Sequence, residues 1–262
     1  MQESLLLQTI WTFFGLLAPM TTHRSPLFEL ADTYVDTSAR MSPMTCTDLG
    51  IPGYDDQLDT FTIEEANKEA NYSRDVVKQA KSLNPTDEID RISQAVLVER
   101  LESRLKLHDS KENFVTYSPI VNPASYIRQI FTIMPTEGDK AIGNVTSRLK
   151  QVGKALDGWK STLIEMDSLG LKTARRQVLV VADQLKTYAD GGWEKMAQKM
   201  DPFNKYPELH TAAKSAAQAS GVMSEWMRNT HAPRSAEADG VGEERYKPWA
   251  RYFTGADLDL SL

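Results

Sequence analysis

The pattern that decides the fold lies in residues 145–166, VTSRLKQVGKALDGWKSTLIEM. Apolar side chains recur there at alternating spacings of four and three residues, at Val145, Leu149, Val152, Leu156, Trp159, Leu163 and Met166. This a/d seam is typical of a long helix that buries one face, and Gly170 stands where a C-terminal cap is expected. A second helical pattern follows over residues 173–190. The short link predicts an antiparallel helix pair that packs along the seam; a dimeric coiled coil is the alternative.

Helical periodicity extends on both sides of this pair. Pro26 suits the first turn of a helix over residues 26–40, and Thr62 with Glu65 has the capping-box spacing that opens a helix ending near residue 83. Over residues 87–108 a stripe at helical spacing consists of Ile89, Ile92, Val96, Leu101 and Leu105. Further helices are predicted over residues 125–134 (with 130–134 as an alternative strand), 206–229 and 237–253. Strand-type alternation is nearly absent, so the predicted class is mainly α.

The composition is that of an ordinary folded chain, since 41% of the 262 residues are hydrophobic and 25% are charged. The net charge of −6 provides no general attraction for phosphate backbones, so nucleic acid is not an expected partner. The single cysteine, Cys46, has no second cysteine for an internal disulfide and suits a reducing compartment. We therefore expect a soluble, cytoplasmic protein.

The first 24 residues differ from the rest of the chain. Residues 5–20, LLLQTIWTFFGLLAPM, are uncharged and mostly apolar. They are fewer than the roughly 20 residues that span a bilayer, and no basic residue precedes them as in a secretory signal. Three interpretations stay open: a signal or membrane anchor, an apolar helix that docks or hangs free, and a leader outside the domain. The last gives the working division, with residues 25–262 forming one helical domain.

The sequence contains no motif for catalysis or metal binding. A zinc hydrolase would carry His-Glu-x-x-His on one helix face, but no Glu follows any of the four histidines. Residues 138–143 have the glycine spacing of a phosphate loop, yet Asn144 and Val145 replace the required Lys and Ser or Thr. Asp55, Asp56 and Asp59 are either a site for a hard cation or an exposed loop end. We predict no catalytic and no metal-binding residue.

Several stretches together resemble one bacterial family. They are SPLFELADTYVD (25–36), DLGIPGYDDQLDTFT (48–62), DRISQAVLVERLESRLKLHDSKEN (90–113), SPIVNPASYIRQIFTIMPTEG (118–138), RLKQVGKALDGWKSTLIEMDSLGLKTARRQV (148–178) and GVGEERYKPWARYFTGADLDL (240–260). Their order resembles the domain-of-unknown-function 885 family, DUF885, over about residues 25–260. The resemblance begins after the apolar leader, which favours a leader outside the domain.

The resemblance implies both a fold and an activity. DUF885 proteins are similar to gluzincin-type zinc metallopeptidases, mostly helical hydrolases whose chains are about twice as long as this one. Their zinc ligands and catalytic Glu belong to a His-Glu motif in the second half of the chain. The present chain is then a fragment, the N-terminal half: a multi-helix half-shell with antiparallel helix pairs and little or no β, forming one wall of a substrate channel. Zinc is expected only in the full-length family, and this chain alone is expected to be inactive.

Residues 240–246 are the segment of this half that we expect nearest the channel. Gly240 and Gly242 let the backbone approach a ligand, and Arg245, with Tyr246 beside it, can hold a peptide carboxylate; the alternative is helix initiation plus surface charge. The expected partners are the missing C-terminal half or another copy of the chain, and a peptide. Membrane docking through residues 5–20 is a weaker alternative. The rival function is a stand-alone, non-catalytic helical module that binds a peptide or protein.

Overall fold

The computed structural model describes residues 25–259, so the predicted leader over residues 5–20 lies outside the described residues. The α-helices of the described part are α1 (Pro26–Met41), α2 (Pro43–Asp48), α3 (Ile63–Ser82), α4 (Glu88–Asp109), α5 (Glu112–Val115), α6 (Pro123–Ile133), α7 (Asp139–Ser168), α8 (Arg175–Thr187), α9 (Trp193–Met200), α10 (Pro207–Trp226) and α11 (Glu243–Thr254). Within these residues the only β-type pairing is an isolated parallel bridge between Ala174 and Ala236. The mainly α class is confirmed.

Helix α7 is the centre of the main hydrophobic cluster. Every residue of its seam, from Val145 to Met166, is buried within the chain. The seam is therefore an internal packing face and not the interface of a dimeric coiled coil. The seam packs chiefly against α10 and not against α8, the next helix along the chain. Because Lys150 pairs with Glu208 and Lys160 lies over Trp226, α7 and α10 run parallel. The predicted pairing partner was therefore wrong.

Helices α3 and α4 form an antiparallel pair with α1 packed across them. The His108 ring lies 3.0 Å from Asn67 Oδ1 at one end of the pair, and Lys81 binds Glu102 nearer the other end. A second, smaller cluster joins the helices through Val76, Leu101 and Leu105, among others. The stripe predicted on α4 is only partly buried, because Ile89, Ile92 and Val96 are exposed.

The capping signals are mostly confirmed. Ser25 and Thr62 cap α1 and α3, since each side-chain oxygen accepts a hydrogen bond from a backbone N–H three residues later. The Glu65 side chain, however, accepts from Thr60 N and not from Thr62 N, so the reciprocal half of the predicted capping box is absent. Gly170, with φ of +76°, ends α7 as expected, and its left-handed backbone favours glycine.

Residues 125–133 are helical within α6 and Met134 is its extended C-cap, which excludes the alternative strand over residues 130–134. The segment 237–242, predicted to be helical, is not: Ala236 pairs with the backbone at Thr173 and Arg175, and α11 begins only at Glu243. Helix α9 was not predicted. It follows a one-turn distortion at Tyr188–Gly192, where Gly191 has φ of +103° and redirects the chain.

Cys46 lies within α2 and is fully buried. Its thiol donates to the backbone oxygen of Ala39 over 3.0 Å. Burial raises the pKa of this thiol, although the nearby Arg40 opposes the shift. Over residues 25–259, no helix is both long enough and apolar enough to cross a bilayer.

Candidate functional site

The segment predicted from the sequence lies at the start of α11. Gly242 caps this helix with φ of +80°, and neither it nor Gly240 has a heavy atom in the space that a Cβ would occupy. Tyr246 is half exposed, and its backbone N–H donates to the oxygen of Gly242. The backbone at this corner is therefore open to solvent.

Arg245 is engaged with the chain itself. Its Nε and Nη2 donate to the two carboxylate oxygens of Glu112 over 2.6 and 3.1 Å, and Nη1 donates to the backbone oxygen of Lys172. The Glu112 carboxylate is buried, whereas the arginine is partly exposed. A peptide carboxylate at Arg245 would have to compete with Glu112, so the structure places the predicted anion-binding residue in an intramolecular ion pair that ties α11 to α5.

A larger feature, not predicted from the sequence, is a cleft between the α1–α2 corner and α6. Two adjoining cavities of about 370 and 280 Å³ share Ser42, Asp59, Phe61 and Tyr126 as lining residues. We call these two cavities the Asp59 cleft. Its residues come from three separate parts of the chain, 41–48, 59–69 and 113–133, and Trp159 of α7 completes the lining. Gly240, Gly242, Arg245 and Tyr246 lie outside both cavities.

Asp59 links the two cavities and is held firmly. Ser42 Oγ donates to its Oδ2 over 2.6 Å, and the backbone N–H of Met44 donates to its Oδ1 over 3.0 Å. Burial raises the pKa of this carboxyl above its ordinary value, with the two hydrogen bonds opposing the shift. The carboxylate is thus positioned, partly desolvated and directed toward the α1–α2 corner.

Phe61 is held in a backbone conformation that side chains rarely adopt. Its φ is +55°, in the left-handed region that disfavours every residue with a Cβ. Thr162 Oγ1 donates to its backbone oxygen over 3.0 Å, and Gly158 of α7 lets the preceding Thr60 carbonyl approach the helix closely. Such strain persists only where the surroundings enforce it, and it clusters at functional sites. Here the residue that carries it lines both cavities and packs against the main hydrophobic cluster.

The loop that carries Asp59 and Phe61 is anchored by Arg148 of α7. Its guanidinium is fully buried and donates to the backbone oxygens of Gln57, Tyr54 and Pro43 and to Thr47 Oγ1. Nε reaches one of these acceptors and Nη2 is shared among the other three, which fixes the loop and the α1–α2 corner against the same turn of α7; the buried Nη1 has no hydrogen-bond partner among the described residues. The loop that lines the Asp59 cleft is therefore held by a long helix. A rigid support of this kind keeps the side chains of a binding site in fixed positions.

The walls of the Asp59 cleft combine aromatic rings with carboxylates. Tyr117 and Trp159 pack edge to face, with ring centroids 5.4 Å apart, beside Phe114 in the second cavity. Asp48, Asp59 and Glu65 supply acidic groups, Glu69 being paired with Arg104 of α4, and no lysine, arginine or histidine is among the described residues that line the two cavities. Aromatic faces and carboxylates both attract cations, so the cleft suits a ligand that carries a positive charge and an apolar body.

The predicted aspartate cluster does not come together as one site. Asp55 accepts from Thr47 Oγ1 over 2.7 Å, whereas Asp59 accepts from Ser42 and Met44, and Asp56 contributes its backbone oxygen to Ser147 and Gln151. Across residues 25–259, no three His, Cys, Asp or Glu side chains are grouped closely enough to hold a metal ion. The structure thus keeps the three aspartates apart; Asp56 is exposed, as the loop-end interpretation expects, whereas Asp55 and Asp59 are partly buried.

The fold and the cleft define a class: a mainly helical protein with an open, acidic and aromatic groove beside its longest helix. Its family is shown by sequence as well. The chain belongs to the family described as bacterial protein of unknown function (DUF885), whose sequence profile matches residues 43–261. The match includes every helix from α2 to α11, residues 240–246 and all of the Asp59 cleft except Met41 and Ser42, but not α1. No curated protein matches the chain.

Proposed function

We propose that this chain is the substrate-binding, non-catalytic part of a metallopeptidase-like protein and that the Asp59 cleft is its section of the substrate channel. The observation that carries the proposal is the cleft itself, in which strained Phe61, exposed Tyr126 and the carboxylate of Asp59 face one open space. The resemblance of DUF885 proteins to helical zinc peptidases supports a peptide as the ligand.

The lining matches the chemistry of a peptide segment with a free amino group or a basic side chain. Tyr126 and Phe61 offer flat apolar surface to peptide side chains. Glu65 and Asp59 both line the second cavity, close enough for the charge of Glu65 to raise the pKa of Asp59, and together they attract an ammonium or guanidinium group. We therefore expect basic and aromatic peptides to bind in preference to acidic ones.

Catalysis and zinc binding belong, in this proposal, to a partner that supplies the missing half. The chain alone is expected to bind peptide without hydrolysing it, and its partner is a complementary C-terminal half or another copy of the chain. A cytoplasmic location, inferred from the single cysteine, is part of the same proposal.

Peptide titration followed by fluorescence anisotropy tests the proposal and separates the two candidate sites. Tyr126→Ala removes an exposed ring from the cleft, and Tyr246→Ala removes a ring of similar exposure from the 240–246 segment. We expect Tyr126→Ala to weaken binding of a labelled Lys- and Phe-containing peptide at least about tenfold, the loss of one aromatic anchor, with Tyr246→Ala near wild type. The reverse result would move the site to residues 240–246. Absence of binding to the wild-type chain, or stoichiometric zinc bound by it, would overturn the proposal.

The rival function, a stand-alone peptide- or protein-binding module, is favoured by one observation. The main hydrophobic cluster extends from Met44 to Ala232 and includes residues of α2 and of every helix from α6 to α10. A core that joins so much of the described chain is expected to fold without a second half. Monodisperse behaviour in size-exclusion chromatography with one cooperative unfolding transition would favour the module, and self-association relieved by a complementary chain would favour the peptidase half.

A further inference from the structure

Helix α4 carries an exposed apolar stripe that the described part of the chain leaves uncovered. Ile89, Ile92 and Val96 occupy one face at spacings of three and four residues, and their exposed fractions are 65%, 50% and 55%. The stripe continues into a groove of about 530 Å³ formed by α1, α4 and α11, with Tyr34, Leu97 and Tyr252 in its walls. Three large aliphatic side chains in a row on one helix are a characteristic of a binding surface.

The described chain begins beside this stripe. Ser25, the residue before α1, is buried, and its Oγ donates to Asp90 Oδ1 over 2.6 Å in the first turn of α4. Asp90 also accepts from Thr86, which fixes the junction from the other side. Any segment that precedes Ser25 therefore leaves the fold within a turn of Ile89, at the beginning of the stripe.

We propose that residues 5–20 dock as a helix on the α4 stripe and the adjoining groove, antiparallel to α4. The dimensions agree: sixteen residues form a helix of about 24 Å, and α4 extends about 22 Å from Ile89 to Arg104 at the same rise per residue. Residues 21–24 supply a link that reaches up to roughly 13 Å, enough to turn the chain back onto the helix.

The leader also has the chemistry that this surface requires. At helical spacing, Leu6, Ile10, Phe13 and Leu17 share one face, whereas Gln8 and Thr12 lie on the opposite one. The segment carries no charge, and the arginines of the groove already have partners, since Arg104 binds Glu69 and Arg100 binds Glu99. An uncharged apolar helix fits such a groove better than an acidic or basic one would.

Attachment to the chain favours the leader over other occupants. A covalent link of four residues keeps the segment at a high effective concentration beside the stripe, of the order of millimolar for short links. A second copy of the chain or a lipid surface has no such advantage. The leader is therefore the occupant to which the observations point. Its docking explains why α4 has Ile89, Ile92 and Val96 exposed on one face.

Chymotrypsin digestion of the full chain, followed by mass spectrometry, tests the docking. The enzyme can cut the leader after Trp11, Phe13 or Phe14, and Phe203, which is almost fully exposed, serves as an internal reference site. We expect cleavage in the leader to be at least about tenfold slower than at Phe203. In the double variant I92D/V96D, the leader should be released, and its cleavage should approach the reference rate.

The matched control is I164D/V222D, which places the same substitutions on two side chains of nearly equal exposure, 48% and 56%, on α7 and α10. It should leave the leader protected. The leader variant I10D/L17D should cause the same release as I92D/V96D without altering a described helix, so a folding defect in α4 cannot imitate the result. Circular dichroism checks that each variant retains its helices.

Each other outcome overturns the proposal. Rapid cleavage of the leader in the wild-type chain means that it is not docked, and protection that survives I92D/V96D means that it docks elsewhere. Protection only in the presence of phosphatidylcholine vesicles assigns the segment to a lipid surface. Protection that disappears on dilution assigns the stripe to a second copy of the chain. None of these results bears on peptide binding in the Asp59 cleft, so the two proposals fail separately.

Discussion

Arg148 Nε donates a 2.7 Å hydrogen bond to the backbone oxygen of Gln57, a residue ninety-one positions earlier in the chain. Together with the bonds from Nη2 to Pro43, Thr47 and Tyr54, this contact fastens the cleft-forming loop to α7. A side chain that is usually exposed is here buried completely, and its charge is distributed over neutral acceptors. Arg148 is the fully buried member of a polar set on α7 that holds this loop, with Ser147 and Gln151 bound to Asp56 and Thr162 bound to Phe61.

Replacing Arg148 with methionine should destabilise the protein strongly. The substitution leaves buried carbonyl groups without donors, and we expect a loss of about 3 kcal/mol in the free energy of unfolding, measured by urea denaturation. Arg148→Lys should be intermediate because an ammonium cannot form the same fork. Arg176→Met, at an exposed ion pair, should change stability by less than about 0.5 kcal/mol. Equal losses at both arginines would contradict the assignment.

Gly158→Ala and Gly153→Ala form a matched pair on the same helix. A Cβ at position 158 would lie 2.0 Å from the carbonyl oxygen of Thr60, whereas one at position 153 would make an ordinary 3.5 Å contact with Ala219 Cβ. We expect Gly158→Ala to cost about 2 kcal/mol and to weaken peptide binding, because it displaces the backbone next to Phe61. Gly153→Ala should be neutral or slightly stabilising, since alanine favours helix. Thermal unfolding of both variants decides the matter.

The Glu112–Arg245 pair should be required for the attachment of α11. Arg245→Ala leaves a buried carboxylate unpaired, and breaking a buried pair in this way costs about 3 kcal/mol. The double variant E112L/R245L should recover much of that loss because no charge is left buried. A double-mutant cycle by urea denaturation measures the coupling. If Arg245→Ala proves harmless, Arg245 is free for a ligand and the 240–246 segment regains its place as the candidate site.

Stability should rise with pH across the titration range of two buried histidines. Burial lowers the pKa of His231 and of His108 below the ordinary value, with Asp167 opposing the shift at His231. The unfolded chain therefore binds more protons than the folded one below about pH 6.5, so stability is complete above that pH and is lost as the pH falls toward the folded-state pKa values.

His231→Phe checks this pH dependence, because phenylalanine retains a ring for stacking on Trp226 but does not titrate. The slope of unfolding free energy against pH between 5 and 7 should decrease in this variant and decrease further in His108→Phe/His231→Phe. An unchanged slope in the double variant would show that other groups control the dependence. Urea midpoints at several pH values provide the measurement.

Local features could be predicted from the sequence, and non-local ones could not. The seam from Val145 to Met166 identified α7 because helix periodicity is a property of neighbouring residues. Its packing against α10 was missed, since nothing local specifies which distant helix covers a face. The α4 stripe illustrates the same limit: spacing shows that Ile89, Ile92 and Val96 share a face, but not whether the rest of the fold buries it.

The Asp59 cleft could not be predicted from the sequence for a related reason. Asp59, Phe61 and Tyr126 belong to segments that meet only through tertiary packing, and the left-handed conformation of Phe61 has no signature in its residue type. One signal was available: Gly158 inside a long, regular helix indicates a close approach by another part of the chain. Arg245 was predicted to hold a peptide carboxylate, and that role stays a prediction; in this structure the carboxylate it binds is that of Glu112.

The buried thiol of Cys46 has a practical consequence for chemical labelling. Maleimide and iodoacetamide reagents attack exposed thiolates, so the native protein should react only when the α1–α2 corner opens, and the reaction rate reports that opening directly. Because the chain has no second cysteine, a cysteine introduced on the surface would be modified alone. Dyes or spin labels can therefore be attached at a chosen helix without first removing the natural residue.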